Sequence, residues 1–359
     1  MKAHYDYLIV GAGLYGAMCA HELTLKGKKC LVVEKNDYIG GFCHSTNVNG
    51  IEVHLYGAHI FRTNSKNTWD FVNSICEFIP FVNSPLANYR GEIYNMPFNM
   101  NTFHQLWGVV TPSEAFERIK SEIVPNDNPC NLEEYVLSKV GRTIYDKLVK
   151  EYTEKQWGIS CTKLPPSTMK RIPIRLTYDN NYYDARYQGI PEKGYTFFIE
   201  RLLDGSDVLL NTDFIENRKK LSSVADEIIY TGAIDAFYDY CFGKLEYRSV
   251  RFEHEYLDVD NYQGNAVVNF TGADVPFTRI IEHKHFMNKQ CKGTFISREY
   301  PIYNSGSFAP SYPINNERNM TLYEKYKSLA SKDEHVQFKG RLAEYKYYSM
   351  NDIIEQFVC

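Results

Sequence analysis

The chain has 359 residues and a formal net charge of −4, so it is long enough for about two or three domains and has no excess of basic charge. No basic run points to nucleic acid, and no apolar stretch is long enough to span a bilayer. The nine cysteines are scattered without a CxxC pair, as is typical of reduced cysteines in a cytoplasmic protein. We therefore expect a cytoplasmic protein with no metal, no membrane span and no nucleic-acid partner.

The start of the chain has the pattern of a nucleotide-binding turn. An apolar run over residues 8–10 predicts a buried parallel strand, and residues 14–25 predict the helix that follows. Three glycines would allow, in order, a tight turn, close approach to a pyrophosphate and close packing of helix on strand: Gly11, Gly13 and Gly16. The helix N-terminus, at Leu14, would offer N–H groups to the phosphates. A second strand over 30–33 ends at Glu34, whose carboxylate can accept the ribose hydroxyls. This spacing predicts a bound dinucleotide.

Two further glycines, Gly40 and Gly41, follow the acidic residue after a short loop. A glycine motif, an acid and a Gly-Gly turn resemble the FAD-binding proteins of the glutathione-reductase and amine-oxidase type more than NAD dehydrogenases. The alternative, a turn that only needs positive φ, stays open. Because no second glycine triplet follows downstream, we do not expect a dedicated NAD domain.

The rest of the chain mixes strand and helix patterns. Residues 86–97 predict a hairpin with Arg90 and Gly91 near its turn. Between 102 and 157 the periodicity is helical and predicts helices that begin at Pro112 and at Asn131 and a third over 142–152. Further helices are expected over 195–203 and 319–330 and from about Met350. Further strands are expected over 207–211, 225–232, 247–252, 265–270, 279–283, 294–297 and 336–338.

These patterns predict an α/β fold: a Rossmann-like FAD-binding domain with an inserted helical domain and an antiparallel β-sheet domain. The FAD-binding domain is expected to be discontinuous, because the strand at 225–232 returns to its sheet after the insertions. The predicted boundaries are 1–80, 197–240 and 315–359 for the FAD-binding domain, 99–158 for the helical domain with substrate contacts, and 81–98, 159–196 and 241–314 for the sheet domain with a mobile loop.

Arginine and tyrosine are concentrated after the helical segment. This group comprises Arg171, Arg175, Tyr178, Tyr182 and Tyr183, and later arginines are Arg248, Arg251, Arg279 and Arg341. Guanidinium groups bind diphosphate oxygens through paired N–H donors, so the cluster indicates a diphosphate ligand. Each arginine could instead form a structural or surface ion pair, and the sequence does not show whether they converge.

Long, distinctive strings occur along the whole chain. They read YGAHIF at 56–61, YNMPFNMNTF at 94–103, YTEKQWG at 152–158, KRIP at 170–173, DNNY at 179–182, YQGIP at 187–191 and GRLAEYKYY at 340–348. Together they resemble the bacterial UDP-galactopyranose mutases, and the resemblance covers essentially the whole chain.

The resemblance implies a flavin-dependent isomerase that interconverts UDP-galactopyranose and UDP-galactofuranose without net redox change. Only reduced FAD would be active, with its N5 attacking the anomeric carbon of the sugar. The resemblance further implies a homodimer that contributes to bacterial surface polysaccharides.

The resemblance also assigns roles to individual positions of this sequence. As catalytic residues it implies Arg171 on a mobile loop, Arg279 opposite it, and His59. The implied cofactor-binding residues are Gly11, Gly13, Leu14, Gly16, Glu34, Gly41, His59, Ile60, Asp213, Phe214, Arg341, Tyr348 and Met350. The implied substrate-binding residues are Arg62, Asn83, Tyr152, Trp157, Arg171, Tyr182, Arg248, Asn269, Arg279, Tyr312 and Tyr347.

Three positions depart from the family pattern: Phe42, Ser349 and Arg62. Phe42 follows the Gly-Gly turn where the family has asparagine, and Ser349 stands where aspartate is usual. Arg62 replaces the second histidine of the AHIFH run. A guanidinium near the sugar can donate to an amide carbonyl, so we hypothesise that UDP-N-acetylgalactosamine is a substrate beside UDP-galactose. A neutral substitution is the alternative.

Two other classes stay open. A flavin oxidoreductase of the amine-oxidase type shares the glycine pattern but would consume oxygen or NAD(P)H together with its substrate. A non-catalytic nucleotide-sugar-binding protein would hold the same ligands without turnover.

Overall fold

The structure is a computed structural model, and it describes residues 4–169, 174–287, 291–303 and 309–358. A parallel sheet forms its first layer. Across the described residues, the strands of this sheet lie in the order Asp207–Leu209, Cys30–Val33, Tyr5–Val10, Ala225–Tyr230, Val336–Phe338. Every adjacent pair runs parallel. Leu8 and Ile9 of the central strand are fully buried, as predicted, because both faces of a parallel sheet are covered.

Helices pack around this sheet. They are Leu14–Leu25, Lys66–Ile75, Tyr195–Leu202, Phe214–Leu221, Ile234–Phe237, Glu317–Ala330, Gly340–Ala343 and Met350–Ile354. The first helix contacts both Tyr195–Leu202 and Met350–Ile354, although these helices are far apart in sequence. Their shared core includes Ile9, Ala17 and Phe198. The predicted α/β class is therefore confirmed.

A second, larger sheet lies beside the first. In the described parts of the chain its strand order is Tyr312–Pro313, Tyr247–Leu257, Thr294–Tyr303, Arg279–Glu282, Val267–Phe270, Leu86–Tyr89, Glu92–Asn95. All pairs are antiparallel except Val267–Phe270 with Leu86–Tyr89. The predicted hairpin turn is present at Arg90 and Gly91, both with positive φ, as two-residue hairpin turns require.

The longest strand pair of this sheet extends beyond its prediction. Tyr247–Leu257 and Thr294–Tyr303 pair from Arg248 with Tyr303 to Leu257 with Thr294. The predicted strands over 247–252 and 294–297 were too short. The added part of the first strand is polar and exposed, so it lacks the apolar alternation from which a strand is recognised.

Two small sheets connect the larger layers. One pairs Ser45–Val48 with Ile51–His54. In the other, Tyr187–Pro191 lies between Phe61–Thr63 and Phe78–Pro80 and is antiparallel to both. The strand Tyr187–Pro191 was assigned to the sheet domain, whereas both of its partners were assigned to the FAD-binding domain. The exact domain boundaries stay a prediction.

The helical segment contains Met100–Trp107, Pro112–Glu122, Leu132–Ile144, a π-helical stretch Tyr145–Lys150, and Glu151–Trp157. Thr111 and Asn131 cap the second and third of these helices, as the sequence predicts. The helix predicted over 142–152 instead continues to Trp157. It is separated from the preceding helix by Gly141, with φ of 80°, where an added Cβ would lie 2.5 Å from the Glu122 Cβ. Single 3₁₀ turns occur at Gly41–Cys43, Cys161–Lys163, Pro166–Met169 and His283–Phe286.

Among the described residues, none of the helices combines the length and hydrophobicity needed to cross a bilayer. The same part of the chain contains no group of three or more His, Cys, Asp or Glu side chains suited to a metal ion.

Candidate active site

The turn after the first strand leaves no room for a side chain at Gly11 or at Gly16. A Cβ on Gly16 would lie 2.0 Å from the carbonyl oxygen of Gly11, and a Cβ on Gly11 would lie 2.3 Å from Thr231 Oγ1. Gly13 occupies the N-cap of helix Leu14–Leu25 and provides no capping side chain. The first N–H groups of this helix therefore lack a cap from the side chain at its start, as a phosphate-binding helix requires.

The Gly-Gly turn packs directly on this loop. The N–H of Gly40 donates to the carbonyl oxygen of Ala12 (2.8 Å). Both Gly40 and Gly41 have positive φ, so the alternative explanation, a turn that needs glycine for its backbone conformation, also applies to them. In addition, a Cβ on Gly41 would lie 3.2 Å from the Cα of Gly13. Gly11 and Gly13 on one side and Gly40 and Gly41 on the other thus form a backbone-lined cradle that fits a pyrophosphate.

Glu34 connects the cradle to the second strand. Its Oε2 accepts the N–H of Ala12 (2.9 Å), and its Oε1 accepts both the N–H (3.0 Å) and the Nδ2–H (2.7 Å) of Asn36. A carboxylate has about four acceptor positions, so about one remains for a ribose hydroxyl. The ribose role of Glu34 stays a prediction.

The other predicted cofactor residues take varied positions. The carboxylate of Asp213 caps helix Phe214–Leu221 by accepting the N–H of Ile215 (2.7 Å), and Phe214 packs in the core beside the parallel sheet. Their side chains are thus already engaged within the protein, and their cofactor role stays a prediction. Leu14 begins the first helix, and Met350 begins the last one.

A cleft of about 900 Å³ opens beside the second sheet. Predicted site residues that line it are Ile60, Asn83, Tyr152, Trp157, Tyr182, Asn269 and Arg279. Other lining residues include Met96, Gln156, Met169 and Tyr183. Its mixture of aromatic and polar groups suits a nucleotide-sugar ligand, which offers both flat rings and hydrogen-bonding groups.

Arg279 is the cationic centre of this cleft. Its Nη2–H donates to the hydroxyl of Tyr152 (2.9 Å), and its Nε lies 3.4 Å from Glu299 Oε2. Burial works against the charge, but the neighbouring Glu299 and Tyr152 raise the pKa of Arg279 well above its usual value. Within the described residues its buried Nε makes no hydrogen bond. Arg279 is therefore a fixed cation at the wall of the cleft.

Two tyrosines lie near this cation: Tyr182, which is half-buried, and Tyr312, which is 44% exposed. Desolvation by the surrounding groups raises the pKa of Tyr182 and of Tyr312 to about 12 in each case, with Arg279 opposing the shift. Both are therefore neutral phenols at physiological pH and can donate O–H hydrogen bonds to an anion. The backbone N–H of Tyr182 donates to the carbonyl oxygen of Asn83 (2.8 Å), which fixes its segment against the cleft wall.

Arg341 joins the glycine turn to the tyrosines. Its guanidinium carbon lies 4.9 Å from the ring centroid of Tyr347, 5.8 Å from that of Tyr312 and 5.7 Å from that of Phe42. Its Nη2–H donates to the carbonyl oxygen of Tyr348 (2.8 Å). Tyr312 and Tyr347 also stack on each other with centroids 5.7 Å apart. Phe42, a departure from the family pattern, is thus a packing surface for Arg341.

The opposite end of the cleft carries Trp157. The guanidinium carbon of Arg248 lies 5.6 Å from the Trp157 ring centroid, which joins the second sheet to helix Glu151–Trp157. Asn269 is paired in register with Arg279, and its Nδ2–H donates to the carbonyl oxygen of Leu86 (3.3 Å).

Arg62 lies beside the cleft, not inside it. Its guanidinium carbon is 3.9 Å from the ring centroid of Tyr183, which lines the cleft. Arg62 also acts on the pKa of Tyr182, which places its charge near that hydroxyl. Among the described residues, no hydrogen bond or ion pair of the Arg62 guanidinium is present. Its N–H donors are therefore available.

His59 is held as a neutral imidazole. Burial lowers the pKa of His59 to about 4, and Arg341 lowers it further against the opposing effect of the Gly57 carbonyl. The Nδ1–H donates to that carbonyl oxygen (2.7 Å), so Nε2 is left as an acceptor.

Ser349, the remaining departure, has a structural role. Its hydroxyl oxygen accepts the N–H of Asp352 (3.2 Å), and the Asp352 carboxylate accepts the N–H of Ser349 (2.7 Å). This capping box begins helix Met350–Ile354. Aspartate would cap the helix in the same way. The predicted catalytic residue Arg171 lies outside the described residues.

Two neighbours of the site were given no individual role from the sequence. Tyr183 was grouped with the arginine- and tyrosine-rich segment, but its place in the cleft was not predicted. Glu299, which is buried next to Arg279, stands in a strand of mixed polarity, and no local pattern marks it.

This geometry agrees with comparisons to known proteins. A family model described as UDP-galactopyranose mutase matches residues 147–347. Over 98% of its length the chain is 37% identical to a probable UDP-galactopyranose mutase of Klebsiella pneumoniae, of which it covers 92%. The chain belongs to the UDP-galactopyranose mutase family. The comparisons therefore support a mutase, which is an isomerase, as its class of enzyme.

Further matches of this mutase-family chain bear on its fold and its ligand. It is 35% identical, over 98% of its length and 96% of the relative, to a dTDP-fucopyranose mutase of Escherichia coli. A crystal structure of a reduced UDP-galactopyranose mutase has a TM-score of 0.73 at 16% identity, with 99% of this chain and 94% of that chain covered. Residues 9–75 match a model described as an NAD(P)-binding Rossmann-like domain. The Rossmann-like nucleotide-binding domain is thus confirmed.

Proposed function

We propose that this protein interconverts the pyranose and furanose forms of UDP-galactose with reduced FAD as its cofactor. The observation that carries the proposal is the guanidinium of Arg279, which lines the cleft and lies near the neutral phenols of Tyr182 and Tyr312. Relatives of similar identity are named for a UDP-galactose and for a dTDP-fucose substrate, so the choice of sugar depends on the site residues.

FAD fits the residues that would hold it. The glycine cradle has room for a pyrophosphate, Glu34 would accept a ribose hydroxyl at its remaining acceptor position, and the helix N-terminus, which has no capping side chain, would offer its N–H groups. When bound in its reduced form, FAD would supply N5 as the nucleophile that displaces UDP from the anomeric carbon and lets the sugar ring reclose.

The residues of the cleft would bind and orient the substrate. Arg279 would hold the diphosphate, which stays bound after it leaves the sugar, and the phenols of Tyr182, Tyr312 and Tyr347 would donate hydrogen bonds to it. Tyr152 and Trp157 would contact the uridine. Further polar contacts would come from Asn83, Asn269 and Arg248, and His59 would offer Nε2 as an acceptor on the cofactor side.

An anaerobic assay tests this proposal. The protein is reduced with dithionite and given UDP-galactose, and the pyranose and furanose products are separated by chromatography. We expect catalytic turnover after a single reduction. Stoichiometric consumption of NAD(P)H or oxygen would instead identify a flavin oxidoreductase, and binding of UDP-galactose without turnover would identify a non-catalytic binding protein.

We further propose that Arg62 allows UDP-N-acetylgalactosamine as a second substrate. Tyr183 holds its guanidinium next to the cleft, and its N–H donors can reach for an acetamido carbonyl. In Arg62→His, the ratio of kcat/KM for the N-acetylated sugar to that for UDP-galactose should fall about tenfold, which corresponds to one lost hydrogen bond to a charged group. Rates with both sugars measure it.

A matched control exists for this variant. Arg186 lies 5.4 Å above the ring of Tyr187 in the same segment but is exposed and does not line the cleft. Arg186→His should leave the substrate ratio unchanged. An equal ratio in wild type and Arg62→His would refute the role of Arg62.

We also propose a homodimer in the cytoplasm. The cysteines among the described residues are free thiols, which suits a reducing compartment. Light scattering of the purified protein tests the assembly.

A further inference from the structure

Lys155 makes an unusual set of contacts. Its Nζ lies within hydrogen-bonding distance of four backbone carbonyl oxygens, those of Phe270 (2.9 Å), Gly272 (2.7 Å), Val275 (3.1 Å) and Phe277 (2.9 Å). An ammonium has three N–H donors, so all of them are engaged and at least one is shared. All four carbonyls belong to one short segment of the chain, which closes around the ammonium.

This segment, residues 270–278, connects strand Val267–Phe270 to strand Arg279–Glu282. A second residue of the same helix also holds it, because Glu151 Oε2 accepts the N–H of Ala273 (2.6 Å). Glu151 is in turn paired with Arg90 (2.9 Å). Two side chains of helix Glu151–Trp157 therefore hold residues 270–278. Glu151 binds one N–H of this connection, and Lys155, one turn later, binds four of its carbonyl oxygens.

The connection formed by residues 270–278 lies between two residues that line the cleft. Asn269 and Arg279 face each other across the strand pair that it links. On the helix side, Tyr152 stands three residues before Lys155 and so lies on the same face. Its hydroxyl accepts the Nη2–H of Arg279 (2.9 Å). One helix face thus contacts both Arg279 itself and the loop that leads into its strand.

We propose that Lys155 is a positioning residue, which fixes helix Glu151–Trp157 against strand Arg279–Glu282 so that Tyr152 and Arg279 meet in the geometry that binds the diphosphate. Lys155 touches no part of the cleft that would contact substrate and acts through Tyr152 and Arg279. This inference rests on the proposed binding of a UDP-sugar in the cleft.

Lys155 loses its proton within a pH range in which binding can be measured. Burial lowers the pKa of Lys155 to about 8, and the carboxylates of Asp274 and Glu151 oppose the shift. Arg90, the other charged group at this contact, is bound to Glu151. Above pH 8 the neutral amine has one donor fewer for four carbonyls, so the clamp should weaken.

The first test measures UDP binding by the reduced or oxidised holoenzyme, using titration calorimetry. In Lys155→Ala the dissociation constant of UDP should rise about tenfold, since a small displacement of a binding group has an effect of this order. Added ethylammonium should recover at least part of the affinity by entering the carbonyl ring, whereas tetramethylammonium, which has no N–H donors, should not. FAD content should not change.

Lys147 provides the control. Its Nζ contacts Glu92 and Tyr94 (3.0 Å) and so also ties the helical segment to the second sheet, but through the hairpin strand Glu92–Asn95 and not through residues 270–278. Lys147→Ala should bind UDP within about twofold of wild type. Equal UDP affinity in Lys155→Ala and Lys147→Ala would overturn the inference.

A second measurement does not depend on the folding of the alanine variant. In wild type the dissociation constant of UDP should increase between pH 7 and pH 9, and this increase should be absent in Lys155→Arg, which keeps its charge. A flat wild-type profile would overturn the inference while leaving the proposed function intact. If wild type does not bind UDP at all, the proposed function fails and the positioning role falls with it.

Discussion

At the residue scale, the glycines of the loop after the first strand are needed for different reasons. A side chain at Gly16 would collide with the chain itself, 2.0 Å from a carbonyl oxygen. A side chain at Gly13 would have its nearest protein atom 3.9 Å away, at the Cα of Gly41, and Gly13 has an ordinary negative φ. Gly13 is therefore needed only for space that a ligand would use.

This difference leads to a prediction. Gly13→Ala should unfold with a free energy within about 1 kcal/mol of wild type, because alanine is only a poorer N-cap, yet it should be purified without FAD. Gly16→Ala should lose about 1–3 kcal/mol of stability through the steric conflict. Urea unfolding of the cofactor-free proteins and the flavin absorbance of the purified proteins measure both effects. FAD retained in Gly13→Ala would contradict the assignment of the cradle.

Residue identity alone predicted most of the candidate cleft, but not how its members act. Tyr182 and Tyr312 were assigned from the family resemblance, whereas their position near Arg279 is seen only in the folded chain. Arg62 was identified as a departure from the family pattern, but the ring of Tyr183 beneath it became evident only when the strands were folded together.

At the element scale, the ends of helices were predicted well because their signals are local. Thr111 with Glu114, and Asn99 with Thr102, form capping boxes that can be read directly from residues three positions apart. The end of the helix at Trp157 was predicted less well, since the π-helical stretch before it has no simple sequence signal.

The capping box of the last helix is open to test. Ser349→Ala should lower the free energy of unfolding by about 1 kcal/mol, because it leaves the N–H of Asp352 without its partner. Ser349→Asp should differ from wild type by only a few tenths of a kcal/mol, because aspartate caps equally well. Urea denaturation measures both. Ser331→Ala, which removes an exposed hydroxyl at a helix C-terminus, is the control, and an equal loss in Ser331→Ala and Ser349→Ala would refute the capping argument.

At the scale of the whole molecule, three histidines join the second sheet to the small sheet Ser45–Val48 with Ile51–His54, and two of them, His54 and His283, are buried. The N–H of His54 donates to His283 Nδ1 (3.2 Å), and the Ser297 hydroxyl contacts both His283 Nε2 (2.7 Å) and His254 Nδ1 (2.7 Å). Burial lowers the pKa of His54, of His254 and, to about 3, of His283. All three are therefore neutral in the folded protein near pH 7.

This cluster predicts acid sensitivity. The folded pKa values lie below the ordinary value of 6.5, so between these limits the unfolded chain binds more protons than the folded one. Stability is therefore full above about pH 6.5 and decreases as the pH falls, by about 1.4 kcal/mol per pH unit for each fully buried histidine. Urea denaturation between pH 6.5 and pH 5 measures the slope.

One variant measures how much His283 contributes to the pH dependence of the free energy of unfolding. His283→Gln should reduce the pH dependence by about 1.4 kcal/mol per pH unit, whatever its effect on stability at pH 7. His335→Gln, at an exposed position, should leave the slope unchanged. If both variants have the wild-type slope, His283 is not a source of the acid sensitivity.

By itself, the sequence determined the local elements, the nucleotide-binding turn and the family, because these depend on residues that are close in the chain or on long, distinctive strings. Only the tertiary structure decided which side chains meet. Arg279 and Tyr152 are separated by 127 residues, and Lys155 reaches carbonyls 115 to 122 residues away. Such contacts follow from the register of paired strands and the packing of a helix on them, and no local periodicity encodes these distances.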